Sequence, residues 1–208
     1  MKKNIVVLIS GRGSNLKSII SATKDPSYPA TVSLVISDNC KAQGLDIAKN
    51  NDIDNVIIER CSFDSNDKFE EDLIKKITQY SPSLICLAGF MKILSKVFVE
   101  KFKGKIINIH PSLLPKHKGL NTHKKAINSG DKHSGCTVHH VNDKMDDGEI
   151  IAQQEVVIAT NDTAETLKEK VLDLEHKLYP KVIKALLSWL RMYFLIIKKM
   201  SYFNCSIF

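Results

Sequence analysis

The chain has no CxxC pair and no cluster of histidine, cysteine or carboxylate residues at metal-ligand spacing. Its five cysteines, at 40, 61, 86, 136 and 205, are odd in number and dispersed. That pattern argues against a disulfide framework and a zinc site, so reduced cysteines and no metal are expected. No apolar run reaches the ~20 residues of a membrane-spanning helix. The apolar run after Met1, Lys2 and Lys3 ends at Ser10, short for a signal segment, and no small-residue cleavage site follows. It reads as a strand, and a cytoplasmic location is expected. There is no arginine-rich block, and aromatics do not interleave with the basic residues. The net charge of +7 comes from lysine spread along the chain, with doublets at 2–3, 75–76, 124–125 and 198–199. This describes solvated lysine faces biased toward small anionic ligands, and neither a nucleic-acid nor a membrane partner is expected.

What is present is ordinary globular material: 208 residues, 43% hydrophobic and 25% charged, enough for a sizeable core. Strands are predicted at 4–9, 31–36, 56–58, 84–88 and 105–109. Helices are predicted after Ser14 as cap, at 43–50, and from Asn66 or Asp67 through Phe69, Leu73, Ile74 and Ile77. This alternation, with near-continuous apolar strands, predicts an α/β fold: a doubly wound, mostly parallel, Rossmann-like sheet. After residue 110 the pattern changes. A loop spans 110–120 and a helix 122–129, and strands at 136–141 and 149–157 flank the polar loop 142–148. The strands are expected to be antiparallel, and Thr163 is expected to open a long C-terminal helix toward residue 190. One domain over 1–187 with a divergent tail at 188–208 is expected, the tail packing as a helix on the domain or on a second copy.

Chemistry concentrates in a few places. The turn Ser10-Gly11-Arg12-Gly13-Ser14-Asn15 follows the first strand and opens a helix. Backbone N–H groups there would face an anion, with Gly13, Ser14 and Asn15 as the phosphate cradle. Leu16 stands at the third glycine of GxGxxG, so a dinucleotide fingerprint is incomplete, although Asp38 at the second strand's end would suit a ribose. Asn108 and His110, two apart on a strand, face the same way at a carboxyl end, where such sheets bind ligands. Asp146 lies in the polar loop, with Asp147 as a rival carboxylate. If that loop folds over the fifth strand, amide, imidazole and carboxylate form a site suited to acyl transfer. Residues 87–94 would wall a flat aromatic ligand. The rigid loop after His110 makes Leu114–Pro115 a candidate cis bond.

Four segments in this order carry a resemblance: Gly-x-Gly-Ser-Asn at 11–15, Leu-Ala-Gly-Phe-Met-Lys-Ile-Leu at 87–94, Asn-Ile-His-Pro-Ser-Leu-Leu-Pro at 108–115, and Gly-Cys-Thr-Val-His at 135–139 with Met-Asp-Asp-Gly at 145–148. Over about residues 3–185 the chain resembles the phosphoribosylglycinamide formyltransferase family, folate-dependent enzymes of purine synthesis. The resemblance implies formyl transfer from 10-formyltetrahydrofolate, a co-substrate, to the amine of glycinamide ribonucleotide. Partners would be these small molecules, with a monomer or homodimer as the working unit and no metal. It places the catalytic roles on Asn108, His110 and Asp146, and ribonucleotide binding on Gly13, Ser14, Asn15 and Glu175. Folate binding falls on Met91, Lys92, Ile93, Leu94, Asn108, Val141, Asn142 and Asp143. Departures are Asn66, where a basic residue meets the folate tail in some members, with Lys68 or Lys92 as substitutes, and His140, where an aromatic or apolar residue is usual. The closest rivals are methionyl-tRNA formyltransferase and formyltetrahydrofolate hydrolase, whose extra domains have no counterpart expected here. A non-catalytic nucleotide-binding module is a rival of another class.

Overall fold

The computed structural model describes the backbone of residues 1–203 and the side chains of residues 1–188. Seven strands form one sheet: β1 (Lys3–Ile9), β2 (Ala30–Ser37), β3 (Asn55–Ile57), β4 (Leu84–Leu87), β5 (Ile106–His110), β6 (His133–His140) and β7 (Ile150–Val157), in the order β3-β2-β1-β4-β5-β6-β7. The first five are parallel, and β6 and β7 run antiparallel. Helices α1 (Ser14–Thr23), α2 (Gly44–Lys49), α3 (Asn66–Gln79), α4 (Lys96–Lys101), α5 (Thr122–Asn128) and α6 (Ala164–Phe203) complete the chain, with one 3-10 turn at Arg60–Ser62.

The apolar strands are buried on both faces, because successive side chains point to opposite sides. Ile5, Val7 and Ile9 pack with Leu16 and Ile19 of α1 and with Leu167, Val171 and Tyr179 of α6. Val6 and Leu8 face the other way, onto Phe69 and Leu73 of α3 and Phe98 of α4. The fold is thus the expected doubly wound, mostly parallel sheet with antiparallel C-terminal strands.

Local differences have local causes. Ser14 does not cap α1: Gly13 is the N-cap, in the left-handed region at φ 73, and no side chain caps it. A Cβ at Gly13 would lie 2.6 Å from the Gly44 Cα, so any side chain is excluded there. The cap of α3 is Ser65, one residue before the predicted start, its hydroxyl accepting from the Lys68 N–H. Helix α4 was not anticipated; its six residues are too few to show a helical period, and Ser95 caps it. Helix α6 continues well past residue 190. No glycine or proline follows Pro180 to stop it. What the tail packs against involves side chains outside the described residues. Among the described residues, no helix is long and apolar enough to cross a membrane.

Order reverses beside β1. Chain following β1 goes to β2 on one side, while β4 pairs on the other, so the loops after β1 and β4 part and leave a crevice at the carboxyl ends of the strands. The two loops are tied at the crevice: the Ser10 N–H donates to the Gly89 carbonyl at 3.1 Å, and the Met91 N–H donates to Ser10 Oγ at 2.8 Å. Tyr179, fully buried on α6, fixes the helix to the central strands through a hydroxyl near the carbonyls of Leu87 at 3.0 Å and Ile107 at 3.1 Å. Removing the hydroxyl takes away this buried hydrogen bond, so Tyr179→Phe should lower unfolding stability by about 0.5–1.5 kcal/mol. Urea unfolding at neutral pH reads this directly, and an unchanged midpoint would refute the tie.

Candidate active site

The crevice is a cleft of about 920 Å³. Its wall includes Ser14, Asn15 and Glu175, together with Met91, Lys92, Ile93, Leu94, Asn108, His110, Val141, Asn142 and Asp146. Gly13 and Asp143 do not line it. Gly13 acts through its backbone turn, and Asp143 stands exposed in the loop beyond β6. Met91, Ile93, Leu120 and Met145 hold 54–69% of their surface exposed on this wall. Such a patch fits a flat apolar ligand. Arg12, Lys124 and Lys168 add positive charge to the same wall.

Strand β5 brings Asn108 and His110 to its end, and loop 142–148 folds over them. His110 is buried, and its Nδ1 lies 3.3 Å from Asp146 Oδ2. Its Nε2 lies 3.0 Å from the His117 carbonyl, which can only accept, so Nε2 carries a hydrogen. Asp146 is 12% exposed in its side chain and sits in the left-handed region at φ 49. The Gly119 N–H donates to its Oδ2 at 2.9 Å. The rival Asp147 turns away and pairs with Lys118. Gly148 is obligatory behind them, since a Cβ there would meet the His140 carbonyl at 1.7 Å.

A fourth residue joins this group that sequence reasoning did not single out. The antiparallel register of β5 and β6 sets His139 opposite Asn108. His139 Nδ1 lies 2.8 Å from the His140 carbonyl and so carries a hydrogen. Burial, its largest influence, pushes the imidazole's pKa down, favouring the neutral ring. Nε2 is then a lone pair, and Asn108 Nδ2 donates to it at 3.2 Å. The amide orientation of Asn108 is thereby set, with one hydrogen left for a ligand. Asp146 Oδ1 lies 3.7 Å from the same Nε2. The only sequence signal was the Gly-Cys-Thr-Val-His segment; the pairing needs the strand register.

At the first turn, Asn15 Nδ2 donates to Glu175 Oε2 at 2.7 Å, and both residues are buried. Asn15 Oδ1 has no partner among the described residues. Burial pushes the Glu175 carboxyl up to about 7, against a smaller downward pull from Asn15. Asp38 does not line the cleft; its carboxylate is 5% exposed and faces Lys92 Nζ at 3.8 Å. Leu16 is fully buried in the core. The dinucleotide-type features are therefore structural here. Of the two substitutes for a basic residue at Asn66, Lys92 lines the cleft, whereas Lys68 pairs with Asp64 at 2.8 Å. Asn66 itself donates to Glu70. Leu114–Pro115 is cis. No group of three potential metal ligands occurs among the described residues.

The profile of the formyl transferase family matches residues 3–183. The phosphoribosylglycinamide formyltransferase of Escherichia coli K12 is 43% identical over 180 residues, which cover 86% of this chain and 85% of that protein. The trifunctional purine biosynthetic protein adenosine-3 of Gallus gallus is 42% identical over 90% of this chain, and the chain spans only 19% of its length. Among solved structures, the Brucella melitensis phosphoribosylglycinamide formyltransferase superposes with a TM-score of 0.87 at 41% identity, covering 90% of this chain and 96% of that one. The Coxiella burnetii enzyme gives 0.88 at 45%, covering 90% and 88%.

The raised carboxyl of Glu175 has a consequence for stability. Between its ordinary value of 4.5 and about 7, the folded chain keeps a proton that the unfolded chain has released. This contribution is full below about 4.5 and is lost as pH rises to about 7. Relative to Glu175→Gln, the unliganded protein should therefore lose on the order of 3 kcal/mol of stability between pH 4.5 and 7.5. Denaturant unfolding of both proteins at the two pH values measures it; parallel pH curves would contradict the assignment.

Proposed function

The chain belongs to the formyl transferase family, and from that premise we propose that it transfers the formyl group of 10-formyltetrahydrofolate to the primary amine of glycinamide ribonucleotide, a step of purine synthesis. The supporting observation is the convergence of His110 Nδ1 and Asp146 Oδ2 at 3.3 Å beside the oriented amide of Asn108, within one cleft that also takes in Ser14 and Asn15 of the first turn. The named relatives favour this acceptor.

The ribonucleotide phosphate docks on the turn after β1, where the N-terminal N–H groups of α1 are unpaired within the helix. Glu175 and Asn15 hold the ribose. The folate ring lies along residues 91–94 and loop 141–146. The amine attacks the formyl carbon, and the carbonyl electron pair moves onto oxygen. The second hydrogen on Asn108 Nδ2 meets that oxyanion. His110 has an acceptor at each ring nitrogen, which an imidazolium satisfies, and its positive charge stabilises the oxyanion across the cleft. Collapse of the intermediate breaks the bond from carbon to the folate nitrogen. Asp146 relays the amine's proton through water to that nitrogen, which leaves neutral. No metal enters this sequence.

A steady-state assay offering glycinamide ribonucleotide, charged initiator tRNA and water as acceptors separates the proposal from its rivals. Transfer to the ribonucleotide supports it, and preference for either alternative overturns the acceptor. His110→Ala and Asp146→Asn should each lower kcat by about 100- to 1,000-fold, with ribonucleotide binding changed only a few-fold. Near-normal turnover in either variant would remove that residue from the chemistry.

A further inference from the structure

The carbonyl that holds His110 belongs to His117, whose backbone lies in the left-handed region at φ 53. Few residues with a Cβ adopt this conformation, and surroundings must hold it. The holding group is visible. His117 Nε2 lies 2.7 Å from Asp131 Oδ2, and the two side chains are 16% and 13% exposed. Lys116 Nζ reaches the other Asp131 oxygen at 3.0 Å. Asp131 follows α5, and its own N–H donates to the Ala126 carbonyl at 3.1 Å, so the anchor stands on a helix end. Hydrogen bonds from His117 and then Lys116 hold its carboxyl below the usual range. The contact is therefore charge-assisted near neutral pH.

The ring and carbonyl of His117 serve different spaces. His117 lines a second cavity, of about 410 Å³, with Leu113, Lys116 and Asp131. None of these residues lines the main cleft. The His117 carbonyl meets the imidazole of His110, which lines the main cleft. On the far side of this loop Lys118 pairs with Asp147, and the Gly119 N–H meets Asp146. Residues 116–119 are thus fastened on both sides of His110.

We propose that His117 is a positioning residue for formyl transfer: its Asp131-anchored ring holds its own carbonyl against His110 Nε2, which aims His110 Nδ1 at Asp146. The proposal rests on the role given to His110 above. The physical reason is that an imidazole can flip about its Cβ–Cγ bond. A flip would place carbon atoms opposite the His117 carbonyl and Asp146, so the carbonyl adds to Asp146 in making the present orientation the favoured one. A misaligned reacting group costs up to about 100-fold in rate without loss of substrate binding.

The test uses His117→Gly, which keeps the left-handed backbone and removes the ring, and Asp131→Ala, which keeps the ring and removes its anchor. Each should lower kcat about 10- to 100-fold, with KM for both substrates within about three-fold. The double variant should be no slower than the slower single one, because both act through one contact. In ¹⁵N-histidine NMR the His110 Nε2 proton should exchange slowly in the unmodified protein and rapidly in each variant. Unchanged kcat in both variants overturns the proposal, as does a rate loss with the His110 signal intact. If the unmodified protein transfers no formyl group, the proposed function fails. The NMR then still decides whether His117 holds His110, and a retained signal in both variants overturns that hold.

Discussion

A carboxylate with only 12% of its side chain exposed must be met by donors, and Asp146 draws them from several parts of the chain. His110 comes from a parallel strand and the Gly119 N–H from the loop that follows it, while His139, on an antiparallel strand, stands beside them with its Nε2 lone pair taken by Asn108. Meeting this one group pulls loop 142–148 over the sheet end and closes loop 116–119 from the other side. The left-handed backbone at Asp146 and the crowded Gly148 are the local cost of that arrangement. Both would be unfavourable in a free loop, and both are over-determined here by packing.

The sheet supplies the other half of the geometry. Five parallel strands, the central ones buried on both faces, fix where carboxyl ends gather, and the reversal of order beside β1 opens the crevice there. Helix α6 serves both layers of this arrangement. Through Tyr179 it grips the central strands, and one turn earlier it presents Glu175 to Asn15. A single amphipathic helix therefore links the core to the cleft wall, so packing and ligand geometry are not independent.

Much of this was legible in the chain. The near-continuous apolar runs and intervening helical patterns point to a doubly wound sheet, and the structure has one. The pairing of Asn108 with His110 follows from strand periodicity alone. Helix starts were read less well. Ser14 looked like a cap, yet the glycine before it takes the left-handed cap position; Ser65, one residue outside the predicted start, caps α3 through its hydroxyl. Helix α4 is too short to carry a period, and α6 runs on because nothing in its sequence breaks it. His139 was passed over because a histidine on a strand has no partner until the neighbouring strand's register is known.

Sequence by itself determined the local order: which segments are strands, which face each side chain takes, and where glycine must allow a tight turn. These depend on interactions within a few residues, and one chain contains them all. The tertiary structure separated Asp146 from Asp147 where residue spacing left them open, set His139 behind Asn108, and put the His117 carbonyl on His110. Those contacts join residues 7 to 36 positions apart. They depend on strand register and on loop closure over the sheet, where a shift of one residue turns every side chain to the opposite face.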